Sequence, residues 1–225
     1  GAGFIGPAHL EALRRLGDVE VVALCDSRLE AAQRKAQALN IAHAYDSVEA
    51  LLAHPGLQVV HNCTPNHLHA QINRQILAAG LHVFSEKPLC MTAEEARELV
   101  ALAARAGVVH GVSFVYRQFA MVQQAAAMIR HGEVGRIFAA HGSYLQDWML
   151  LETDYNWRVD SAQGGASRTV ADIGSHWCDT VQFMTGRRIV EVMADLSIVW
   201  PTRKAPVNGK ATFSAVHEAQ AYETR

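Results

Sequence analysis

An α/β fold with a doubly wound parallel sheet is predicted for the first half of this 225-residue sequence. Helical patterns alternate there with short apolar runs rich in β-branched residues, as in parallel strands that are buried on both faces. The chain also opens on a glycine-rich turn, G-A-G-F-I-G, directly before a helical pattern. These observations together predict a Rossmann-type βαβ arrangement.

The alternation in the first half defines five helices and four strands. The helices are expected over 7–16, 28–39, 47–53, 66–79 and 92–106, and the strands over 19–25, 59–63, 82–84 and 108–114. Glycines follow three of these helices, at Gly17, Gly80 and Gly107, as C-terminal caps do. Thr92 and Glu95 have the T-x-x-E spacing of a capping box.

The pattern changes after Tyr116, and we place a domain boundary between 1–115 and 116–225. A helix over 121–130 precedes an alternating strand over 136–148, an irregular stretch, a helix over 171–184 and a second strand over 189–200, while the tail from Pro201 is polar and turn-rich. This order predicts a second, α+β domain whose sheet has helices on one face.

Composition limits the classes of function. The formal net charge is −2, the pI is about 6.7, and no basic run occurs, which argues against nucleic acid or an anionic membrane as a partner. No stretch reaches the length of a membrane span. The four cysteines lack C-x-x-C spacing, which favours reduced thiols in a cytoplasmic protein; they are Cys25, Cys63, Cys90 and Cys178.

The opening turn has the G-x-G-x-x-G spacing of a dinucleotide site. Gly1 would permit the tight turn, Gly3 would let backbone approach a pyrophosphate, and Gly6 would let the next helix pack closely. The N–H groups at the start of that helix would face the phosphates. Because such a sheet has a strand directly before its glycine turn, we expect the sequence to be incomplete there, and at its other end as well.

Asp26 follows the apolar run 19–25, where a carboxylate accepts the ribose hydroxyls of NAD and repels the 2′-phosphate of NADP. Ser27 and Arg28 are groups that tolerate that phosphate. The residues therefore favour NAD and leave NADP open.

Two polar segments follow predicted strands, at the edge where ligands of open α/β sheets bind. In C-T-P-N-H-L-H, small polar groups and a proline can surround the cofactor; the candidates are Thr64, Pro65, Asn66 and His69. The alternative is an ordinary strand-to-helix turn with Asn66 as N-cap.

The second of these segments is S-E-K-P, residues 85–88. Lys87 precedes a proline, which holds its backbone extended. A lysine fixed in this way can hydrogen-bond a reacting hydroxyl and favour its ionisation, whereas an exposed lysine without function is the alternative.

Asp172 and His176 are one helical turn apart in D-I-G-S-H-W-C-D and would share a helix face, with Asp179 near the same side. A carboxylate and an imidazole so placed can orient a polyol and move its proton. The alternative to this catalytic role is structural: Asp172 would be an N-cap and His176 an interior histidine. No zinc-type ligand set accompanies them, so no metal site is predicted.

Aromatic residues stand beside arginines at two further places. These are Tyr116-Arg117 and Trp157-Arg158. Such pairs bind sugars, because the ring covers C–H faces while the guanidinium contacts oxygens, although packing and surface ion pairs explain them as well.

With these motifs in order, the chain resembles the Gfo/Idh/MocA family, named for glucose-fructose oxidoreductase, inositol dehydrogenase and a rhizopine-catabolism protein. The motifs are G-A-G-F-I-G at 1–6, C-T-P-N-H-L-H at 63–69, S-E-K-P at 85–88, N-W-R at 156–158 and D-I-G-S-H-W-C-D at 172–179.

The resemblance implies a dinucleotide-binding domain followed by an open-faced sheet domain, which in the family often forms the oligomer interface of a homodimer or homotetramer. It implies that Lys87, Asp172 and His176 face the nicotinamide, and that the Lys87–Pro88 peptide bond is cis. Lys87 would polarise the reacting C–O bond, Asp172 would position substrate, and His176 would be the general acid/base. Cofactor contacts from Phe4, Ile5 and Glu86 are expected at the matching positions.

The function expected from these residues is NAD(P)-dependent interconversion of a secondary alcohol and a ketone on a sugar or polyol. Two alternatives keep the same scaffold. One is a glycosidase that uses bound NAD transiently, and the other is a non-catalytic NAD(P) sensor.

Overall fold

The computed structural model describes residues 1–206 and 222–224, and the chain divides into two compact units, Gly1–Ser113 and Phe114–Arg225. No helix among the described residues is long and apolar enough to cross a membrane.

The first unit alternates helices and strands as predicted. Its helices are α1 (Gly6–Leu16), α2 (Leu29–Ala38), α3 (Val48–Leu52), α4 (Asn66–Ala78) and α5 (Ala93–Ala106). Its strands are β1 (Ala23–Cys25), β2 (His43–Tyr45), β3 (Val59–Asn62), β4 (His82–Ser85) and β5 (His110–Val112). All five predicted helices and all four predicted strands are present, the strands mostly shorter. Strand β2 was not predicted, because three residues without an apolar run give no periodic signal.

Every strand pair in the first unit is parallel, which confirms the predicted sheet class. β1 pairs with β2, and β3, β4 and β5 form a second piece in that order. Within residues 1–113, all of which are described, no ladder joins the two pieces. A largely apolar cavity is lined by residues of α1, β1 and β3.

Helices α4 and α5 pack on the three-stranded piece and form the main core. Ile76, Leu77 and Leu99 from these helices contact Val60 and Val83 of the strands, and all five are buried. Each such side chain contributes about 1.5–3 kcal/mol through removal from water. This core fixes the carboxyl ends of β3 and β4, from which the polar segments 63–69 and 85–88 extend.

The predicted helix ends are also present. Gly17 and Gly107 adopt the left-handed conformation at the C-caps of α1 and α5, and Gly80 has a positive φ just beyond α4. The Thr92 side chain accepts a hydrogen bond from Glu95 N at 3.2 Å.

In the second unit, helix α6 (Ala120–Arg130) lies where it was predicted. The irregular stretch contains a 3-10 turn, Trp157–Val159, and the short helix α7 (Ser161–Gly164). The helix predicted over 171–184 is a π-helical turn, Val170–Gly174, followed by α8 (Ser175–Thr185). The prediction of a single α-helix was therefore wrong for the first turn of this segment.

The Ser175 hydroxyl gives a physical reason for that difference. It donates to the Ala171 carbonyl at 2.8 Å, and a side chain bonded to this carbonyl competes with the backbone bond of a regular α-turn.

The two strands predicted for the second domain, over 136–148 and 189–200, are not formed. Neither segment has a ladder partner among the described residues, and Phe138 and Met193 are 84% and 101% exposed. Alternation specifies an apolar face, but a strand also needs a hydrogen-bonded neighbour. The described strands of this unit are β6 (Lys204–Pro206) and β7 (Tyr222–Thr224), an antiparallel pair. Most of the tail predicted as turn-rich, 207–221 and 225, lies outside the described residues.

Candidate active site

The glycine turn packs closely against the end of β3 and the start of α1. A Cβ on Gly1 would lie 2.5 Å from the Cys63 carbonyl oxygen, and one on Gly6 would lie 2.9 Å from the Gly1 oxygen. Nothing lies within 4 Å of a Cβ at Gly3. Gly1 and Gly6 are thus needed for packing, whereas Gly3 borders open space that a ligand can enter.

Asp26 is fixed beside the glycine turn, at the carboxyl end of β1. Its Oδ2 accepts from Ala2 N at 3.2 Å, and its Oδ1 accepts from Ser27 N at 2.8 Å. Helix α1 begins without a side-chain cap and carries Pro7 in its first turn. An uncapped helix start beside open space and a carboxylate beyond it fit the pyrophosphate and ribose of a dinucleotide. Ser27 and Arg28 are exposed.

A buried polar network supports the loops after β3 and β4. Asn62 Nδ2 donates to Asn73 Oδ1 at 2.8 Å, and Asn73 Nδ2 donates to Ser85 Oγ at 3.0 Å. Thr64 Oγ1 donates to Asn62 Oδ1 at 2.7 Å. Sequence reasoning missed both asparagines, although a buried amide inside a strand or mid-helix is itself a signal of a specific partner.

His69 holds the two loops together. Its Nδ1 lies 2.6 Å from the Pro88 carbonyl oxygen and its Nε2 lies 2.7 Å from that of Thr64, and the side chain is 1% exposed. Burial lowers the pKa of His69. Asn66 is the first residue of α4, after Pro65, and that helix has no side-chain cap. The alternative of Asn66 as N-cap is therefore wrong.

His9 of α1 connects this helix to the segment that carries Lys87. His9 Nε2 lies 3.0 Å from Glu86 Oε1, and His9 Nδ1 lies 2.9 Å from His61 Nδ1. Glu86 Oε2 also accepts from Lys87 N at 3.2 Å. The Lys87–Pro88 peptide bond is cis, as the family resemblance implied. None of the sequence motifs pointed to His9 or His61.

The charges in this cluster are fixed by its burial and hydrogen bonds. Burial by itself lowers the pKa of His9, but hydrogen bonds with Cys63 and Glu86 outweigh it and raise that pKa to about 9. Burial, and then the charge on His9, lower the pKa of His61 to about 4. Burial opposes the charge on Glu86, yet the hydrogen bond from His9 leaves the pKa of Glu86 lowered. At neutral pH the cluster therefore holds a His9–Glu86 ion pair beside a neutral His61.

His176 lies in an aromatic setting in the second unit. It is 6% exposed, stacks on Tyr116 with centroids 4.3 Å apart, and meets Phe114 edge-on at 5.8 Å. The hydroxyls of Tyr116 and Tyr144 are 2.5 Å apart. Burial and this hydrogen bond raise the pKa of Tyr144 to about 12, so the phenol stays protonated. Tyr144 was not predicted from the sequence.

Asp172 faces two arginines. Arg158 Nε lies 3.4 Å from Asp172 Oδ1, and Arg168 Nη1 lies 3.7 Å from Asp172 Oδ2. Asp172 lies inside the π-helical turn, so the alternative that it is an N-cap is wrong. Sequence reasoning named Arg158 and missed Arg168.

The predicted residues Arg117 and Asp179 bind each other. Arg117 Nε donates to Asp179 Oδ2 at 2.8 Å, and its Nη2 donates to Asp179 Oδ1. The Arg117 guanidinium also lies 5.5 Å from the Phe183 ring centroid. Asp179 is thus engaged in an ion pair between α8 and the turn before α6. A substrate contact by Arg117 stays a prediction. Arg158 lies over the Trp157 ring at 4.5 Å.

Each of the two units matches a known protein-family model. A family model described as "Oxidoreductase family, NAD-binding Rossmann fold" matches residues 1–114, and one described as "GFO/IDH/MocA C-terminal domain" matches residues 122–222. The chain belongs to the Gfo/Idh/MocA family. Residues 1–114 accordingly correspond to the NAD-binding Rossmann domain of that family.

Relatives in the Gfo/Idh/MocA family include sugar dehydrogenases. Levoglucosan dehydrogenase of Pseudarthrobacter phenanthrenivorans is 30% identical over 96% of this chain and 57% of that protein. D-glucoside 3-dehydrogenase of Escherichia coli is 34% identical over 75% of this chain and 47% of that protein. The chain thus spans about half the length of these relatives.

Two solved structures are similar to this chain. Levoglucosan dehydrogenase in complex with NADH and L-sorbose matches with a TM-score of 0.85 and 29% identity, covering 92% of this chain and 56% of that one. An oxidoreductase domain protein from Kribbella flavida matches with a TM-score of 0.79 and 34% identity, over 84% of this chain and 53% of that one.

Proposed function

We propose that this chain is part of an NAD(P)-dependent dehydrogenase that interconverts a secondary alcohol and a ketone on a sugar, polyol or related compound. The observation that carries the proposal is the position of His176, which is buried and stacks on Tyr116. Asp172 lies four residues before it in the chain. An imidazole whose ring is held by stacking is suited to proton transfer near neutral pH. The family relatives named for sugar oxidation support the same reaction class.

The two parts of the chain would divide the work. Residues 1–115 would hold the dinucleotide, and 116–225 would hold the substrate and contribute to a homodimer or homotetramer. Exposed apolar side chains over 189–200, such as Val190 at 89%, suit a surface covered by a second copy. The described cysteines are all free, which suits a cytoplasmic protein.

The cofactor would be held by the glycine turn and the polar loops. Gly3 gives room for the pyrophosphate, and Asp26 accepts the ribose hydroxyls, which favours NAD over NADP. NAD(P), when bound, supplies the hydride acceptor of the reaction. The remaining contacts proposed are Gly1, Phe4, Ile5, Gly6, Ser27, Arg28, Thr64, Pro65, Asn66, Glu86 and Lys87. Buried His69 would act indirectly, by holding the Thr64 and Pro88 carbonyls.

The chain's own residues would handle the proton. In the oxidative direction, His176 takes the proton of the substrate hydroxyl. The Lys87 ammonium donates a hydrogen bond to the same oxygen and stabilises its developing charge. Asp172, fixed by Arg158 and Arg168, orients the neighbouring hydroxyls. Further substrate contacts are proposed for Tyr116, Arg117, Trp157 and Arg158.

The experiment offers the protein NAD or NADP with sugars, polyols and their glycosides, and follows nicotinamide absorbance. We expect reduced cofactor in a one-to-one ratio with oxidised substrate. Glycoside cleavage without net reduction would identify the glycosidase alternative instead. Cofactor binding without turnover of any compound would identify the sensor.

A further inference from the structure

The backbone on either side of Lys87 is held by contacts that lead to a histidine. On the preceding side, Glu86 Oε2 accepts from Lys87 N at 3.2 Å, and His9 Nε2 lies 3.0 Å from the other oxygen of Glu86. On the following side, His69 Nδ1 lies 2.6 Å from the Pro88 carbonyl oxygen. The backbone from which the Lys87 side chain extends is therefore held at both neighbours.

His9 differs from His69 in that its partner is a charged side chain. A carboxylate oxygen can only accept, so His9 Nε2 carries the hydrogen of its bond with Glu86. Burial by itself lowers the pKa of His9, but hydrogen bonds with Cys63 and Glu86 outweigh it and raise that pKa to about 9. The bond is thus charge-assisted at neutral pH, and such bonds are about twice as strong as neutral ones.

The pair lies where water is largely excluded. The side chains of His9 and Glu86 are 10% and 12% exposed, and the ring of Phe84 packs against His9 with centroids 5.8 Å apart. That ring lies close over β5, because a Cβ on Gly111 would be 2.9 Å from it. Without a cation at His9, the Glu86 carboxylate would gain by turning toward water, and its bond with Lys87 N would break.

The titratable groups that face His9 come from the ends of two strands within residues 1–113, all of which are described. His61 of β3 has its Nδ1 2.9 Å from His9 Nδ1, and Cys63 follows the same strand. Burial, and then the charge on His9, lower the pKa of His61 to about 4, so His61 is neutral. Glu86, directly after β4, is thus the carboxylate that balances the charge on His9.

We propose that His9 is a positioning residue for Lys87. The charge on His9 holds Glu86 in the orientation in which it binds Lys87 N, and this fixes where the lysine side chain begins. The inference rests on the proposed dehydrogenase function, in which the Lys87 ammonium stabilises charge that develops on the substrate oxygen. His9 acts through Glu86 and not by contact with the substrate. A misplacement of about 1 Å can cost about a hundredfold in rate, so a bond at this distance from the chemistry affects turnover.

Substitution of His9 separates turnover from binding in the NAD-loaded protein, with the sugar or polyol that the wild type oxidises fastest. His9→Gln should lower kcat by about tenfold but change KM and the Kd of NADH by less than about threefold, because Lys87 would act on charge that develops only in the transition state. Unchanged kcat in His9→Gln would overturn the inference.

His54→Gln is the matched control. His54 is half-buried in the same unit, and its Nδ1 lies 2.9 Å from the Tyr45 hydroxyl oxygen. Its substitution also removes a hydrogen-bonded imidazole, yet should leave kcat, KM and the Kd of NADH at their wild-type values. A loss of kcat in His54→Gln equal to that in His9→Gln would show a general effect on the fold and contradict the inference.

A cation that keeps its proton near pH 9 separates charge from shape. The ordinary pKa of a lysine is about 10.4, so His9→Lys keeps a positive charge beside Glu86 and should recover part of the lost kcat. In the wild type, kcat should fall as the pH rises through about 9, and this fall should be absent in His9→Lys. The same fall in both proteins, or no recovery in His9→Lys, would contradict the inference.

Hydrogen exchange reports on the Lys87 N–H without any substrate. In NAD-loaded His9→Gln, this amide should exchange at least about tenfold faster relative to that of Ser113, which donates to the Ser85 carbonyl at 2.9 Å. His54→Gln should keep the wild-type ratio. An unchanged ratio in His9→Gln would overturn the inference even if kcat falls. A raised ratio in a protein that oxidises no sugar or polyol would uphold the hold on Lys87 and refute the proposed function.

Discussion

His9 and Glu86 form a largely buried ion pair, with His9 Nε2 and Glu86 Oε1 3.0 Å apart and side chains 10% and 12% exposed. The pair joins the helix that follows the glycine turn to the segment that carries Lys87, because Glu86 Oε2 also accepts from Lys87 N. Helix α1 and Lys87 are thus linked through one pair of charges.

Breaking this pair on one side should destabilise the first unit. In His9→Gln the buried Glu86 carboxylate loses its cation, and we expect the free energy of unfolding to fall by about 3–5 kcal/mol. The double variant His9→Gln/Glu86→Gln should recover part of that loss. Urea denaturation measures both. Glu94→Gln, at an exposed carboxylate of α5, is the control, and a similar loss there would contradict the assignment.

The same cluster predicts how stability depends on pH. The pKa of His9 is raised to about 9, so its contribution is complete below about 6.5 and is lost as the pH rises toward 9. The pKa of His61 is lowered to about 4, so its contribution is present above about 6.5 and is lost as the pH falls toward 4. The lowered pKa of Glu86 adds to the acid-side loss.

Unfolding free energy measured from pH 4 to 10 should therefore be greatest near pH 6.5. The decline between pH 6.5 and 9 should be much smaller in His9→Gln than in the wild-type protein. Identical alkaline slopes for the two proteins would show that His9 does not carry this dependence.

The glycines of the opening turn should separate folding from cofactor binding. Gly6→Ala places a Cβ 2.9 Å from the Gly1 oxygen and should lower the free energy of unfolding by about 1–3 kcal/mol. Gly3→Ala meets nothing within 4 Å and should fold normally, yet bind NAD at least tenfold more weakly. Thermal unfolding and NADH fluorescence titration test the two, and unchanged NADH affinity in Gly3→Ala would refute the role given to that glycine.

We expect the ring of Tyr116 to orient His176 for catalysis. Because the ring stacks on His176 at 4.3 Å, Tyr116→Leu should lower kcat by tenfold or more and shift its pH profile, whereas Tyr116→Phe should retain most activity. Steady-state rates over pH 5 to 9 measure this. Full activity in Tyr116→Leu would mean that the stacking does not orient the imidazole.

The sequence predicted the parts of the fold that local pattern determines. The glycine turn, the apolar strands and the caps at Gly17, Gly107 and Thr92 depend on nearby residues, and all are present. The segments 136–148 and 189–200 were predicted as strands because alternation is local, whereas strand pairing is not.

The motifs likewise located the ends of β1, β3 and β4 but not the side chains that support them. His9 and His61 are 52 positions apart, and Asn62 and Asn73 are 11 positions apart. Their partnerships exist only through tertiary packing. Arg168 was missed for another reason, because it lies four residues before Asp172 and this spacing of opposite charges along a helix was a local signal that the motifs did not include.

His176 is proposed as the base that accepts the proton of the substrate hydroxyl, and substitution of this residue tests that role. His176→Ala should bind NADH with an affinity within threefold of the wild type but turn over substrate at least a hundredfold more slowly. His131→Ala, at an exposed histidine, should behave as wild type in both measurements. Wild-type turnover by His176→Ala would contradict the account.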